Sequence, residues 1–225
     1  GRREAIRGGV MRLGDFECGY FGLLRQMPFS QTSDEFGADW GYYYVAGHEG
    51  EYFEREGLKY IRASDNYEDL KEEITGKILI AFDDLASIFY FGDFLKGYYF
   101  RSGKTIVDAL KECYKASETV FSECERFDEE LKLSSKRYGE DYLLLLYASL
   151  RQSMAAHKIV QDRKGRVLFL SKECNSDGCI ATVDVSYPSA PLYLLYAPEL
   201  VNGMLYPIFD FARMKVWEYD FAPHD

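Results

Sequence analysis

Arg101-Ser102-Gly103-Lys104-Thr105, running into Ile106-Val107-Asp108, is where the chain changes character. Thr105 stands before the first apolar residue and has an acid three positions on. That is close to a capping box, with Asp in place of the preferred Glu, and it predicts a helix start.

Downstream, Ile106, Leu110, Cys113, Ser117, Val120, Cys124, Phe127 and Leu131 recur at intervals of three and four, which puts them on one face of a long helix. Gly139 interrupts, and Glu140 and Asp141 open a second helix where acids suit the positive end of the dipole. Its face is Leu143, Leu146, Tyr147, Leu150 and Met154. Two amphipathic helices joined by a short break predict an antiparallel hairpin. Asp162-Arg163-Lys164-Gly165 is expected to end the second helix and turn into an extended Val167 to Leu170. Pro188, Pro191, Pro198 and Pro207 then divide the chain into short stretches. A third helix is expected from Pro198 to about Met214, with Pro198 in its first turn and Pro207 kinking or splitting it.

Upstream the signal is different. Trp40 to Ala46, Lys77 to Phe82 and Ala86 to Phe91 are strand-length β-branched and aromatic runs, none with a helical period. Asp65 to Ile74 is compatible with one or two helical turns. The expected class is therefore α+β, with a β-rich half, 1–103, and a helical half, 104–225.

Composition narrows the function. A hydrophobic fraction of 47% with 16% aromatic residues supplies a packed core. Net charge is −10 and no stretch gathers Lys and Arg into a basic stripe, so nucleic acid is not an expected partner. No apolar run approaches the ~20 residues of a membrane helix, so no membrane partner is expected. The basic start, Gly1 to Met11, lacks an apolar signal region, which leaves a cytoplasmic or secreted parent open. The five cysteines form no CxxC pair, so neither a disulfide framework nor a metal site is expected, and no cofactor motif occurs. The chain stops abruptly at Phe221-Ala222-Pro223-His224-Asp225, which reads as a piece from the middle of a larger enzyme.

The candidate chemistry concentrates in Ser171-Lys172-Glu173 through Tyr187-Pro188-Ser189-Ala190-Pro191, read as a loop connecting helices. Glu173, Asp177 and Asp184 are its carboxylates, suited to a general base or substrate ligand. Asp177 before Gly178 also suits a plain turn, and Asp184 a local backbone acceptor. His224-Asp225 offers an imidazole and an acid that work near neutral pH. Asp83-Asp84 on a strand point to opposite faces and do not form a working pair. His157 reads as a packed histidine, and Tyr42, Tyr43 and Tyr44 as sheet packing.

The stretch Ala81 to Gly92, the loop Ser171 to Pro191 and Phe221 to Asp225 together resemble the glutaminase A family, with similarity from about Asp39 onward. The resemblance implies the end of an N-terminal β-sandwich domain over 1–103. It also implies the start of a toroid of six helical hairpins over 104–225. It further implies hydrolysis of the L-glutamine side-chain amide to glutamate and ammonia, with a glycoside hydrolase on the same toroid, or a scaffold or binding module, as the alternatives. In the resemblance Asp225 and Asp184 are the catalytic candidates, and His224, Glu173, Asp177 and Tyr187 hold a small-molecule substrate, glutamine or a glycoside. The family motif continues beyond Asp225, so the piece alone is expected to be inactive.

Overall fold

The computed structural model describes residues 5–29, 40–67, 73–172 and 179–224. They fall into two compact units: one takes in the described residues of 5–29, 40–86 and 102–117, the other those of 87–101 and 118–224.

In the first unit, β1 (Ile6–Arg12), β2 (Glu17–Leu23), β3 (Tyr42–Gly47) and β6 (Leu79–Asp83) form one antiparallel sheet in the order β1-β2-β3-β6. Between β3 and β6 the chain makes a separate hairpin, β4 (Glu49–Arg55) and β5 (Leu58–Ser64). Its two-residue turn, Glu56-Gly57, has positive φ at both positions (54° and 77°), the mirror-image turn that matches strand twist.

The alternation of each strand decides what it covers. Cys18, Tyr44 and Ala46 are buried on one face with Leu13 and Phe16. Leu110, Ile106 and Tyr114, from the start of α1 (Ile106–Ser135), pack against them, and Tyr114 stacks on Phe16 at 4.2 Å. On the other face glycines let the β4–β5 hairpin lie close. A Cβ at Gly19 would stand 2.5 Å from the Glu51 carbonyl oxygen, and one at Gly8 would collide with the Tyr52 ring. The uncovered part of this face carries the cross-strand aromatic row Phe21, Tyr43 and Phe82.

The helix start is as the sequence predicts. The Thr105 N–H donates to Asp108 Oδ2 at 2.8 Å and the Asp108 N–H donates back to Thr105 Oγ1 at 3.2 Å, a reciprocal box with Asp in the Glu role. The expected apolar face of α1 is only half used. Leu110, Ser117 and Leu131 are buried, whereas Cys113, Val120 and Cys124 are exposed.

In the second unit, β7 (Ile88–Tyr90) and β8 (Asp93–Leu95) form a small hairpin about Phe91-Gly92, so the run Ala86 to Phe91 holds a three-residue strand. After α2 (Glu140–Ala155) comes a second ribbon, β9 (His157–Gln161) paired with β10 (Val167–Ser171). Here the structure corrects the sequence reading. Asp162-Arg163-Lys164-Gly165 does not end a helix; it turns this ribbon, with Asp162 Oδ1 accepting the N–H groups of Lys164 and Arg166 at 2.9 Å each.

The ribbon is the centre of the unit. Val160, Leu168 and Leu170 pack with Ile88 and Leu95, while Phe169 packs with Tyr193 and Met204. Those two come from α3 (Val183–Tyr196) and α4 (Pro198–Ala212). Gly203 lets α4 cross β10, since a Cβ there would lie 2.9 Å from the Phe169 nitrogen.

A second correction concerns the prolines. Residues 183–191, read as loop, are the first turns of α3, and Pro188 and Pro191 lie inside it. Each removes one helical N–H; packing of Tyr193 outweighs that loss. Pro207 likewise sits buried within α4 and does not split it, while Pro198 opens the helix as expected. Of the expected helical turns over Asp65 to Ile74, residues 68–72 lie outside the described residues, and the flanking positions have no regular structure.

If Gly19 is what admits the β4–β5 hairpin, Gly19→Ala lowers unfolding free energy by roughly 2 kcal/mol through overpacking against backbone. Gly14→Ala, where a Cβ meets nothing within 4 Å but φ is +91°, serves as a strain-only comparison. Urea titration of both variants checks it, with Gly19→Ala expected to be the more costly.

Candidate functional site

The end of β10 and the start of α3 are tied by backbone. The Ala181 N–H donates to the Ser171 carbonyl at 2.8 Å, and Lys172 and Ile180 form an isolated bridge. Thr182 takes the N-cap position and its carbonyl accepts the first helical N–H groups, from Val185 and Ser186. Ser171 Oγ lies 2.9 Å from Ser186 Oγ, so two hydroxyls pin the first turn of α3 to the ribbon.

One orphan donor of that turn is met from far along the chain. The Val183 N–H donates to the His224 carbonyl at 2.8 Å. This brings the His224 side chain to the same turn, where Nε2 stands 3.7 Å from Asp184 Oδ1. The two side chains are 60% and 64% exposed, so the pair faces solvent at the positive end of α3. A carboxylate beside an imidazole in reach of solvent can orient, accept or deliver a proton.

The six candidates thus fare differently. Asp184 and His224 are brought together. Tyr187 stands one turn further along α3 and is 78% exposed, within a helix and not in the connecting loop expected for this stretch. Glu173, Asp177 and Asp225 lie outside the described residues. Among the described residues no cluster of three His, Cys, Asp or Glu side chains is arranged to hold a metal ion.

The remaining sequence candidates have structural surroundings. Asp83 and Asp84 are buried, Asp83 Oδ1 accepting the Leu85 N–H at 2.9 Å. His157 stacks on Phe169 at 4.2 Å, and its Nδ1 lies 2.6 Å from the Ser153 carbonyl, which makes Nδ1 the protonated nitrogen. Nε2 is buried without a hydrogen-bond partner among the described residues, and burial pushes the imidazole below its ordinary pKa. Tyr42 and Tyr44 face the sheet's core, and Tyr43 joins the aromatic row.

Sequence reading missed a polar network nearby. Arg166 Nε donates to Asp162 Oδ2 at 2.8 Å, and Arg166 Nη1 to Asp210 Oδ1 at 3.3 Å. Tyr90 Oη donates to Asp210 Oδ2 at 2.8 Å, and the guanidinium lies over the Tyr206 ring at 4.5 Å. The Arg166 hydrogen bonds hold the Asp210 carboxyl below the usual range against the opposing effect of burial. The advance signal was Asp210 within the apolar second half of α4, with no spacing to name its partner.

Comparison with known proteins bears on the same stretch. Residues 139–225 match the family described as the glutaminase A six helical-hairpin domain, a span that includes α2, α3, α4, Asp184 and His224. A Glutaminase A of Aspergillus oryzae is 28% identical over 127 residues, 56% of this chain and 18% of that protein. A "Probable glutaminase" of Arthroderma benhamiae is 30% identical over 87 residues, 39% of this chain and 10% of that protein. The chain therefore aligns with less than a fifth of either relative. No solved structure matches it. No helix among the described residues is long and apolar enough to cross a membrane.

The half-buried His157, whose Nε2 is shut from solvent, sets a pH dependence. Unfolded histidine takes up its proton near ~6.5; the folded site resists it. Stability is therefore undiminished above that value and falls as pH drops through it, until the folded imidazole also titrates. Urea midpoints at pH 7.5 and 5.5 should differ less in His157→Gln than in the unsubstituted chain. Equal pH slopes would remove His157 as the cause.

Proposed function

We propose that residues 1–103 are the end of a β-sandwich domain and 104–225 the opening of a six-hairpin toroid, within a hydrolase that converts the L-glutamine side-chain amide to glutamate and ammonia. The observation that supports this reading is the meeting of Asp184 and His224 at the first turn of α3, inside the segment matched to the glutaminase A domain. The names of the relatives agree with it.

Amide hydrolysis needs a base to take a proton from water as its oxygen bonds to the carbonyl carbon. It also needs an acid to protonate nitrogen as the C–N bond breaks. In the proposed scheme Asp184 accepts the proton of the attacking water. His224, in its charged form, delivers a proton to the leaving amine, which departs as ammonia. Asp225 is retained as a further acid or base of the reaction and Glu173 and Asp177 as substrate ligands, and Tyr187, exposed on the same helix, contacts the substrate. No metal or other cofactor is assigned a part.

Ammonia release from glutamine by the whole protein tests the proposal, with a glycoside panel run beside it. Asp184→Asn is expected to lower kcat by about 10²-fold or more while leaving the melting temperature unchanged. Release of reducing sugar without ammonia would transfer the site to glycoside chemistry. Neither product, or full rates in Asp184→Asn, would contradict the proposal.

A further inference from the structure

Among the described residues, six that are not glycine hold a positive φ. Glu56, Phe91 and Ser102 are exposed, and each precedes a glycine of positive φ, the paired geometry of a tight turn. Phe29 and Leu85 are half-buried. Ala181 differs from all of these: at φ +60° it is buried and stands at the root of α3. An L-residue in this region crowds its Cβ against the following carbonyl, so the conformation persists only where the surroundings impose it.

The surroundings that impose it can be named. The Ala181 N–H donates to the Ser171 carbonyl at 2.8 Å, and Ile180 before it bridges Lys172. The methyl group belongs to the buried cluster of Val160, Leu168 and Leu170 on the ribbon. Burial of that methyl offsets the backbone strain, which is why alanine stands where glycine would be unstrained.

The next residue is constrained in the same way. Thr182 is fully buried, makes no side-chain cap, and its Oγ1 has no hydrogen-bond partner among the described residues. A threonine at the N-cap ordinarily turns its hydroxyl to the second or third helical N–H. Here the backbone is set from outside, and the first N–H, that of Val183, goes to the His224 carbonyl. The left-handed joint thus decides where the first turn of α3, with Asp184 on it, meets the returning chain.

We propose that Ala181 is a positioning residue for the Asp184–His224 pair. Its Cβ confines the joint to one small region of backbone space, where glycine would have several. That restriction holds the Val183 N–H on the His224 carbonyl, and so keeps the two side chains in reach of each other. The inference rests on the reading that this pair carries the hydrolysis.

The test is Ala181→Gly in the whole protein. Lost methyl burial and relieved strain act in opposite directions, so the melting temperature is expected to change little. Deuterium exchange into the amides of 183–186 is expected to speed up about tenfold, with 157–161 and 167–171 unchanged. For ammonia release from glutamine, kcat should fall about tenfold with KM unchanged, because misplacing the pair acts on the chemical step and not on binding. Glu56→Gly, which relieves the same kind of strain at an exposed turn, should alter neither exchange at 183–186 nor kcat. Unchanged exchange at 183–186 in Ala181→Gly would overturn the proposal. So would faster exchange there with kcat intact. If the unsubstituted protein releases no ammonia, the proposed reaction fails by itself, and the exchange result alone decides whether Ala181 holds the joint.

Discussion

Arg166 is the side chain on which the second unit depends. Its guanidinium joins Asp162 at the ribbon turn to Asp210 on α4, and Tyr90 of β7 adds a third bond to the same carboxylate. Charge-assisted bonds of this kind are stronger than neutral ones. Removing one partner leaves a partly buried charge uncompensated, which costs more than the pair contributes. Asp210, held ionised by Arg166, contributes stability at neutral pH that is lost as acid titrates it. Burial and the adjacent Asp210 push the Tyr90 phenol well above its ordinary pKa, so it stays a donor.

That bond also governs the candidate site. Once α4 is seated on β10 through Arg166 and the close crossing at Gly203, the chain leaves α4 and returns to α3. There the His224 carbonyl takes up the Val183 N–H. The approach of His224 to Asp184 is thus set by backbone as well as by the exposed side chains. A backbone anchor confines one member of a pair whose own attraction, in water, is weak.

The helices were legible where local chemistry is sufficient. Thr105 and Asp108 announced α1, Gly139 its end, and Pro198 the start of α4, because caps and breakers act over three or four residues. Of the ribbon after α2, Val167 to Leu170 was legible as an extended stretch but its partner was not, since His157–Gln161 becomes a strand only by pairing with Val167–Ser171. The first turns of α3 were hidden behind Pro188 and Pro191, whose local cost is outweighed by packing of Tyr193. At the site, chemical competence singled out Asp184 and His224. Their encounter rests on a bond between residues 183 and 224, which no periodicity encodes. Arg166 and Asp210 went unseen for the same reason.

The central claim is that Asp184 and His224 act as one unit. A double-mutant cycle on amide hydrolysis by the whole protein tests it, with Asp184→Ala, His224→Ala and the two combined. The account predicts that the double variant is no slower than the worse single variant, since each change already disables the pair. Rate losses that simply multiply would show two side chains working independently and would contradict it.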